Sequence, residues 1–334
     1  MSVSHMSIIG IVFLVFLVSC AAKVAHEPVE YEPIQYEFET NYADIGGIRI
    51  CYTDQGSGDP VMVFVHGLAG NMGIFSEPIR RFSKTHRMLA LDLPGHGNSE
   101  RRDDIPYGIP LFADTVKGLL DRLGIEKAVV AGVSMGGHTT CYFSWKYPDR
   151  CAGAVLIDAA GIDANFPPFS KYFLEHHSRW MADKMTSMTR KNMAKGKQGI
   201  VNKLTLKSGK DGAKWPRFWD TSKTNVKKWI ENDQRYMNRF VWTDEYPKWN
   251  YALVRCTLGI IEAPMTDKLS EIKVPTLIVW GEHDGLVSIK NAYIFANGIP
   301  SSFLTIIDDC GHVPPLEEPE AFISALARFL ETLQ

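Results

Sequence analysis

The segment Gly132-Val133-Ser134-Met135-Gly136 sets a serine one residue away from a glycine on each side, a spacing that suits a hydroxyl forced outward by a tight turn. A serine hydroxyl is a poor nucleophile until a base takes its proton. His312, in Asp309-Cys310-Gly311-His312, is the candidate base. An imidazole in that role needs an acid that fixes its tautomer and stabilises the imidazolium. Asp284, in Trp280-Gly281-Glu282-His283-Asp284, is the favoured acid and gives the chain order Ser, Asp, His. Asp158, at the end of an earlier apolar run, competes for the role, and Glu282 is a third choice. The oxyanion formed in such an attack must be met by fixed donors. The N–H of Met135 is one, and the N–H of Leu68 in His66-Gly67-Leu68-Ala69-Gly70 is the other. Acyl transfer through Ser134 calls for no metal and no organic cofactor. His66, His96, His138 and His283 are weaker candidates for the base, because each has a structural role nearby in the sequence.

Chemistry of this kind needs a rigid frame. Val61–Val65, Met88–Leu91, Ala128–Val133, Ala152–Ile157, Thr276–Trp280 and Phe303–Ile307 are short, continuous apolar runs. Continuous rather than alternating runs are expected of parallel strands covered on both faces. Between them Phe112, Val116, Leu119 and Leu123 recur at helical spacing and stop at Gly124. Strand, helix and strand at this rhythm predict a doubly wound, mostly parallel α/β sheet. Ser134 then follows one strand and opens a helix, and His312 follows the last strand.

Together these residues resemble the α/β-hydrolase superfamily, over roughly residues 40–334. Asp92-Leu93-Pro94-Gly95-His96-Gly97-Asn98-Ser99 adds the family's D-x-P-G-x-G-x-S turn, read as structural, and His66 to Gly70 is similar to its HGxxG signature. The resemblance implies the α/β-hydrolase fold with a helical cap, and a group that includes carboxylesterases, monoacylglycerol lipases, enol-lactonases and carbon–carbon bond hydrolases. A serine at 134 excludes the usual haloalkane dehalogenase and epoxide hydrolase chemistry, which needs a carboxylate nucleophile. The expected activity is hydrolysis of a carboxylic ester with an apolar acyl group, on a small-molecule or lipid substrate. The alternatives are a lactone or carbon–carbon bond hydrolase with the same triad, or a non-catalytic binding protein on the same fold.

The rhythm breaks in the middle of the chain. Residues 161–264 hold no strong strand signal, and within them 162–262 carry 19 Lys/Arg against 10 Asp/Glu, although the whole chain is at −2. Trp180, Trp215, Phe218, Trp219, Trp229, Tyr236, Phe240, Trp242, Trp249 and Tyr251 lie there. The segment reads as a cap over the carboxyl edge of the sheet, its aromatics as pocket lining or as packing. Its charge reads equally as a face for anionic lipid headgroups or as a solvated surface. No basic and aromatic pattern of nucleic-acid-binding type is present, and no nucleic-acid partner is expected.

The start of the chain is different material. Ile8 to Val18 is too short an apolar run to cross a bilayer but suits the core of a secretory signal. Leu17-Val18-Ser19-Cys20 resembles the lipobox of bacterial lipoproteins, which implies lipidation at Cys20, export, and anchoring to a membrane through acyl chains. A longer, uncleaved anchor running into Ala21 and Ala22 is the alternative. The expected layout is a signal peptide at 1–19, a lipidated linker at 20–40, core at 41–160, cap at 161–264 and core again at 265–334. Cys51, Cys141, Cys151, Cys256 and Cys310 have no spacing that signals a disulfide framework or a zinc site.

Overall fold

The computed structural model describes residues 32–162, 168–194 and 245–333. Its centre is one sheet of eight strands among the described residues, in the order β1-β2-β4-β3-β5-β6-β7-β8. These are β1 (Asn41–Ile45), β2 (Ile48–Gln55), β3 (Met62–Val65), β4 (Met88–Leu91), β5 (Ala128–Val133), β6 (Cys151–Ile157), β7 (Thr276–Gly281) and β8 (Ser302–Ile307). The β1–β2 hairpin is antiparallel, and so is the β2–β4 pair. Every other pairing from β4 to β8 is parallel. All six residues of β5 and all four of β3 and β4 are buried, as continuous apolar runs require. β1 and β2 are less uniform, with solvent-facing residues between buried ones, and for that reason no apolar run announced them.

Helices cover both faces. On one side α2 (Ile109–Arg122), α3 (Met135–Lys146) and α6 (Lys290–Gly298) pack Phe112, Phe143 and Phe295 against Val63, Leu89 and Val130. On the other, α1 (Ser76–Phe82) and α8 (Pro319–Glu331) pack Ile79, Phe322 and Leu326 against Met62, Phe64 and Val129. Neighbours along one strand thus serve opposite cores, the period-two geometry of a sheet. α8 is amphipathic and buries no polar side chain: it buries Phe322, Ile323, Ala325, Leu326, Phe329 and Leu330 and begins with Pro319, where a missing N–H costs nothing. α3 differs, because it is buried nearly all round. Two of its hydroxyls bond within the helix, Thr139 Oγ1 donating to the Met135 carbonyl and Ser144 Oγ to that of Cys141, while His138 Nε2 reaches out to the Ala263 carbonyl.

Between β6 and β7 the described residues form α4 (Pro168–Ala194), kinked at His177, and α5 (Tyr246–Glu262). They share an apolar cluster of Leu174, Met185, Leu253, Val254 and Leu258. Asn250 Nδ2 donates to Thr186 Oγ1 across the pair. Of the ten aromatics noted above, only Trp180, Trp249 and Tyr251 fall within the described residues, as do neither Cys20 nor the Ile8 to Val18 run. No helix among the described residues is long and apolar enough to cross a membrane.

The segment expected as linker is tied to the core from residue 34 onward. Ile34 N–H donates to Asn98 Oδ1, Tyr36 Oη to Asp92 Oδ2, and Arg80 pairs with Glu37 at 2.7 Å. Asp92 explains why the D-x-P-G-x-G-x-S turn is structural. Its carboxylate accepts from the backbone N–H of Met72 and Asn98, and a methyl at Gly97 would lie 2.0 Å from it. The five cysteines that are described are all free and buried.

Candidate active site

Ser134 joins β5 to α3, and its backbone is held in a strained conformation at φ 56°, ψ −115°. A non-glycine residue at positive φ costs about 1–3 kcal/mol and persists only where its surroundings enforce it. Here they do. The Ser134 N–H donates to the Ile157 carbonyl, and the Ser134 carbonyl accepts from the N–H of His138 and of Ala160. The flanking glycines are required by backbone approach. A methyl at Gly132 would lie 2.1 Å from the Gly136 carbonyl oxygen, and one at Gly136 would lie 2.1 Å from that of Val65. No side chain fits in either place, so β3, β5 and the start of α3 close directly on one another.

The loop after β3 abuts the nucleophile, since a methyl at Gly67 would come within 3.1 Å of Ser134 Cβ. His66 sets the course of this loop. Its Nε2 accepts from the Leu93 N–H at 3.0 Å, so its Nδ1 carries the proton and donates to the Gly67 carbonyl at 2.7 Å. That carbonyl also accepts from the Gly70 N–H, with Ala69 at φ 61° closing the turn. Leu68 lies inside the turn thus fixed. Met135 is the first residue of α3, where no earlier carbonyl of the helix exists to take its N–H.

His312 and Asp284 meet as partners. His312 Nδ1 lies 2.8 Å from Asp284 Oδ2, with the Asp284 side chain 0% exposed and that of His312 15%. The other oxygen, Asp284 Oδ1, accepts from the N–H groups of Leu286 and Val287. Trp280, buried beneath, donates from Nε1 to the Val287 carbonyl and anchors the same loop. Burial alone would push the His312 imidazole below its ordinary value. The Asp284 carboxylate, with help from Glu317, outweighs burial and holds it above that value.

The other sequence candidates are engaged elsewhere. Glu282 accepts from the Asp309 N–H and, with Asp309, lies 3.6 Å from His283 Nε2 at the surface. Polar atoms of these three lie within 4.8 Å of one another, a spacing that a cation would tolerate and that exposed acidic surfaces often show. His96 and His138 are fully buried, which pushes both down to about 4 and keeps them neutral. Asp158, the competitor for the acid, is buried at the end of β6 with φ 44°; it lies near His312, but its hydrogen bond is from the Gly281 N–H, and it is Asp284 that His312 Nδ1 meets.

Sequence reasoning missed Glu317, in α7 (Pro314–Glu317). Its carboxylate accepts from the N–H of Gly311 at 3.0 Å and from that of Val313 at 2.8 Å, clasping the backbone on both sides of His312. The only trace in the sequence is a Glu five residues after the histidine, which is no signal by itself.

Comparison with known proteins agrees with this fold. Residues 60–319 match the family described as alpha/beta hydrolase fold. A 2-hydroxy-6-oxononadienedioate/2-hydroxy-6-oxononatrienedioate hydrolase of Paraburkholderia phymatum is 27% identical over 289 residues, covering 85% of this chain and 91% of the relative. A thermophilic esterase from Thermogutta terrifontis superposes with TM-score 0.66 at 24% identity, over 88% of this chain and 99% of that one. The enol-lactonase of Burkholderia xenovorans LB400 does so with TM-score 0.66 at 23% identity, over 87% of this chain and 100% of that one.

Proposed function

The chain belongs to the α/β-hydrolase family, and from that premise we propose that it is a serine hydrolase of carboxylic esters with an apolar acyl group. Ser134 attacks the ester carbonyl while His312 Nε2 takes its proton and returns it to the leaving alcohol. The N–H groups of Leu68 and Met135 meet the oxyanion. Water, activated by the same imidazole, then releases the acid from Ser134. The observation that carries this reading is the buried 2.8 Å pairing of His312 Nδ1 with Asp284, which leaves Nε2 as the basic face of the ring.

The acyl preference rests on what lies beside the oxyanion loop. Leu68 and Ala69 pack against Leu174, Leu253, Val254 and Leu258, an apolar neighbourhood suited to hydrocarbon. A second reading, carbon–carbon bond hydrolysis, is favoured by the relative named for an oxononadienedioate, which is a dicarboxylate. The two part on a direct assay. Nitrophenyl esters from acetyl to dodecanoyl should be turned over, with kcat/KM rising as the acyl chain lengthens. Labelling by a fluorophosphonate should be lost in Ser134→Ala. Failure on every ester, with turnover of a 2-hydroxy-6-oxo-dienedioate, would replace the first reading by the second.

We propose further that the protein is exported and held at a membrane by acyl chains on Cys20, within reach of lipid esters. The support is Leu17-Val18-Ser19-Cys20 at the end of the Ile8 to Val18 run. Two or more chains on one residue make such a tether stable, whereas one does not.

A further inference from the structure

Asp158 is a carboxyl group with no use in the mechanism above. It is fully buried, its Oδ1 accepts from the Gly281 N–H at 3.0 Å, and its Oδ2 has no partner that can donate to it. What faces it is acidic. Polar atoms of Asp158, Asp284 and His312 all lie within 4.8 Å of one another, Glu317 adds its negative charge from α7, and Cys310 lies close by. Two carboxylates cannot both stay ionised at such a distance in a dry site, but one proton between them makes a hydrogen bond of the orphaned oxygen.

We propose that Asp158 is held as a neutral carboxylic acid whose Oδ2–H donates to Asp284, positioning the Asp284 carboxylate against His312. Burial first, and the Asp284 charge second, hold Asp158 well above the usual carboxylate range. Which of the two carboxyls keeps the proton follows from their partners. Asp284 already uses both oxygens as acceptors, Oδ1 from two backbone N–H groups and Oδ2 from His312 Nδ1. Asp158 accepts from one N–H only. The strained φ of 44° at Asp158 lies in the turn that brings the Ala160 N–H to the Ser134 carbonyl. Asp158 is thus a positioning residue, acting through Asp284. The proposal rests on Asp284 as partner of His312, and its test has readouts that do not need turnover.

Asp158→Asn and Asp158→Leu decide it. The amide keeps the acceptor for Gly281 and supplies an N–H for Asp284, whereas leucine supplies neither. Asp158→Asn should lose no more than about tenfold in kcat, and Asp158→Leu about ten- to hundredfold more, the scale of a charge-assisted hydrogen bond. The acid limb of the kcat/KM profile, which reports His312, should stay in place in Asp158→Asn because no charge has been removed. Were Asp158 ionised, removing a charge within 4.8 Å would lower that limb by about two pH units. Stability gives the reading independent of activity and is measured in Ser134→Ala as well. A carboxyl kept protonated by folding stabilises fully below its unfolded value, about 3.9, and loses that contribution as pH rises. The Tm of Asp158→Asn should therefore gain on wild type steadily from pH 4 to 8. A constant Tm gap, or an acid limb that falls by a unit or more, overturns the proposal even if ester turnover stands. If Asp158→Leu does not fold, the Asn variant alone still decides.

Discussion

Asp284→Asn changes one atom, and the structure predicts which way the new amide must turn. In the native protein Oδ2 receives the His312 Nδ1 proton, and Oδ1 receives the N–H groups of Leu286 and Val287. An amide has one acceptor for these two tasks. Aimed at His312, it sets its NH2 against two backbone donors, leaving both unsatisfied at about 1–3 kcal/mol each. Turned the other way it keeps both backbone bonds and presents N–H to His312 Nδ1. The second arrangement is favoured by about 2–6 kcal/mol, the sum of two such penalties. It makes Nδ1 an acceptor, moves the ring proton to Nε2, and leaves no base for Ser134. The loss should be about 10³–10⁴ in kcat, the scale seen in a serine protease for the same change. Stopped assays on a nitrophenyl ester and the rate of fluorophosphonate labelling measure it, with the thermal melt as control. A loss under tenfold in a normally melting variant would refute the assignment of the acid and the tautomer argument together.

Glu317→Gln should lower kcat about tenfold, since one amide oxygen cannot accept from both Gly311 and Val313. The same change removes a charge that helps keep His312 basic, so the acid limb of kcat/KM should move down, not up. Stability should fall as pH drops from about 6.5 towards 4. His96 and His138 stay neutral in the folded state down to about 4, while an unfolded chain protonates them near 6.5. Their contribution, up to about 3 kcal/mol each, is complete above the unfolded value and lost through that window. Tm against pH should show the fall, and His96→Gln should make it shallower. Mass spectrometry of protein recovered from membranes should find acyl groups on Cys20, and Cys20→Ala should abolish them.

The parts of the site that were legible are those whose chemistry demands a residue type at a fixed spacing. Gly132 and Gly136 could be read because backbone lies about 2 Å from where their side chains would be. His312 and Asp284 could be read because apolar runs placed each just after a strand. Asp158 and Glu317 could not be read in these roles. A buried carboxyl and a backbone clasp depend on which chain segments meet, and nothing local to Ala159 or Pro315 encodes that meeting. The β1–β2 hairpin was hard to find for a different reason. Its strands are partly solvated and bear a mixed pattern, so only Gly46-Gly47 between them marks the turn.

The oxyanion loop has a double allegiance that bears on transplantation. Leu68 and Ala69 belong by chain to the sheet, yet both pack against the cap's Leu174, Leu253, Val254 and Leu258, and Leu68 packs against the sheet's core as well. A chimaera that exchanged 161–264 for another protein's cap would therefore strip Ala69 of its apolar neighbours and Leu68 of those on its cap side. The recipient turn, already committed to a left-handed residue at Ala69, would have to find new packing or drift. Specificity in this scaffold is consequently not a detachable module. Recombination that respects the covalent boundary of the cap cuts through a physical unit, and a working graft has to carry its own pair at 68 and 69.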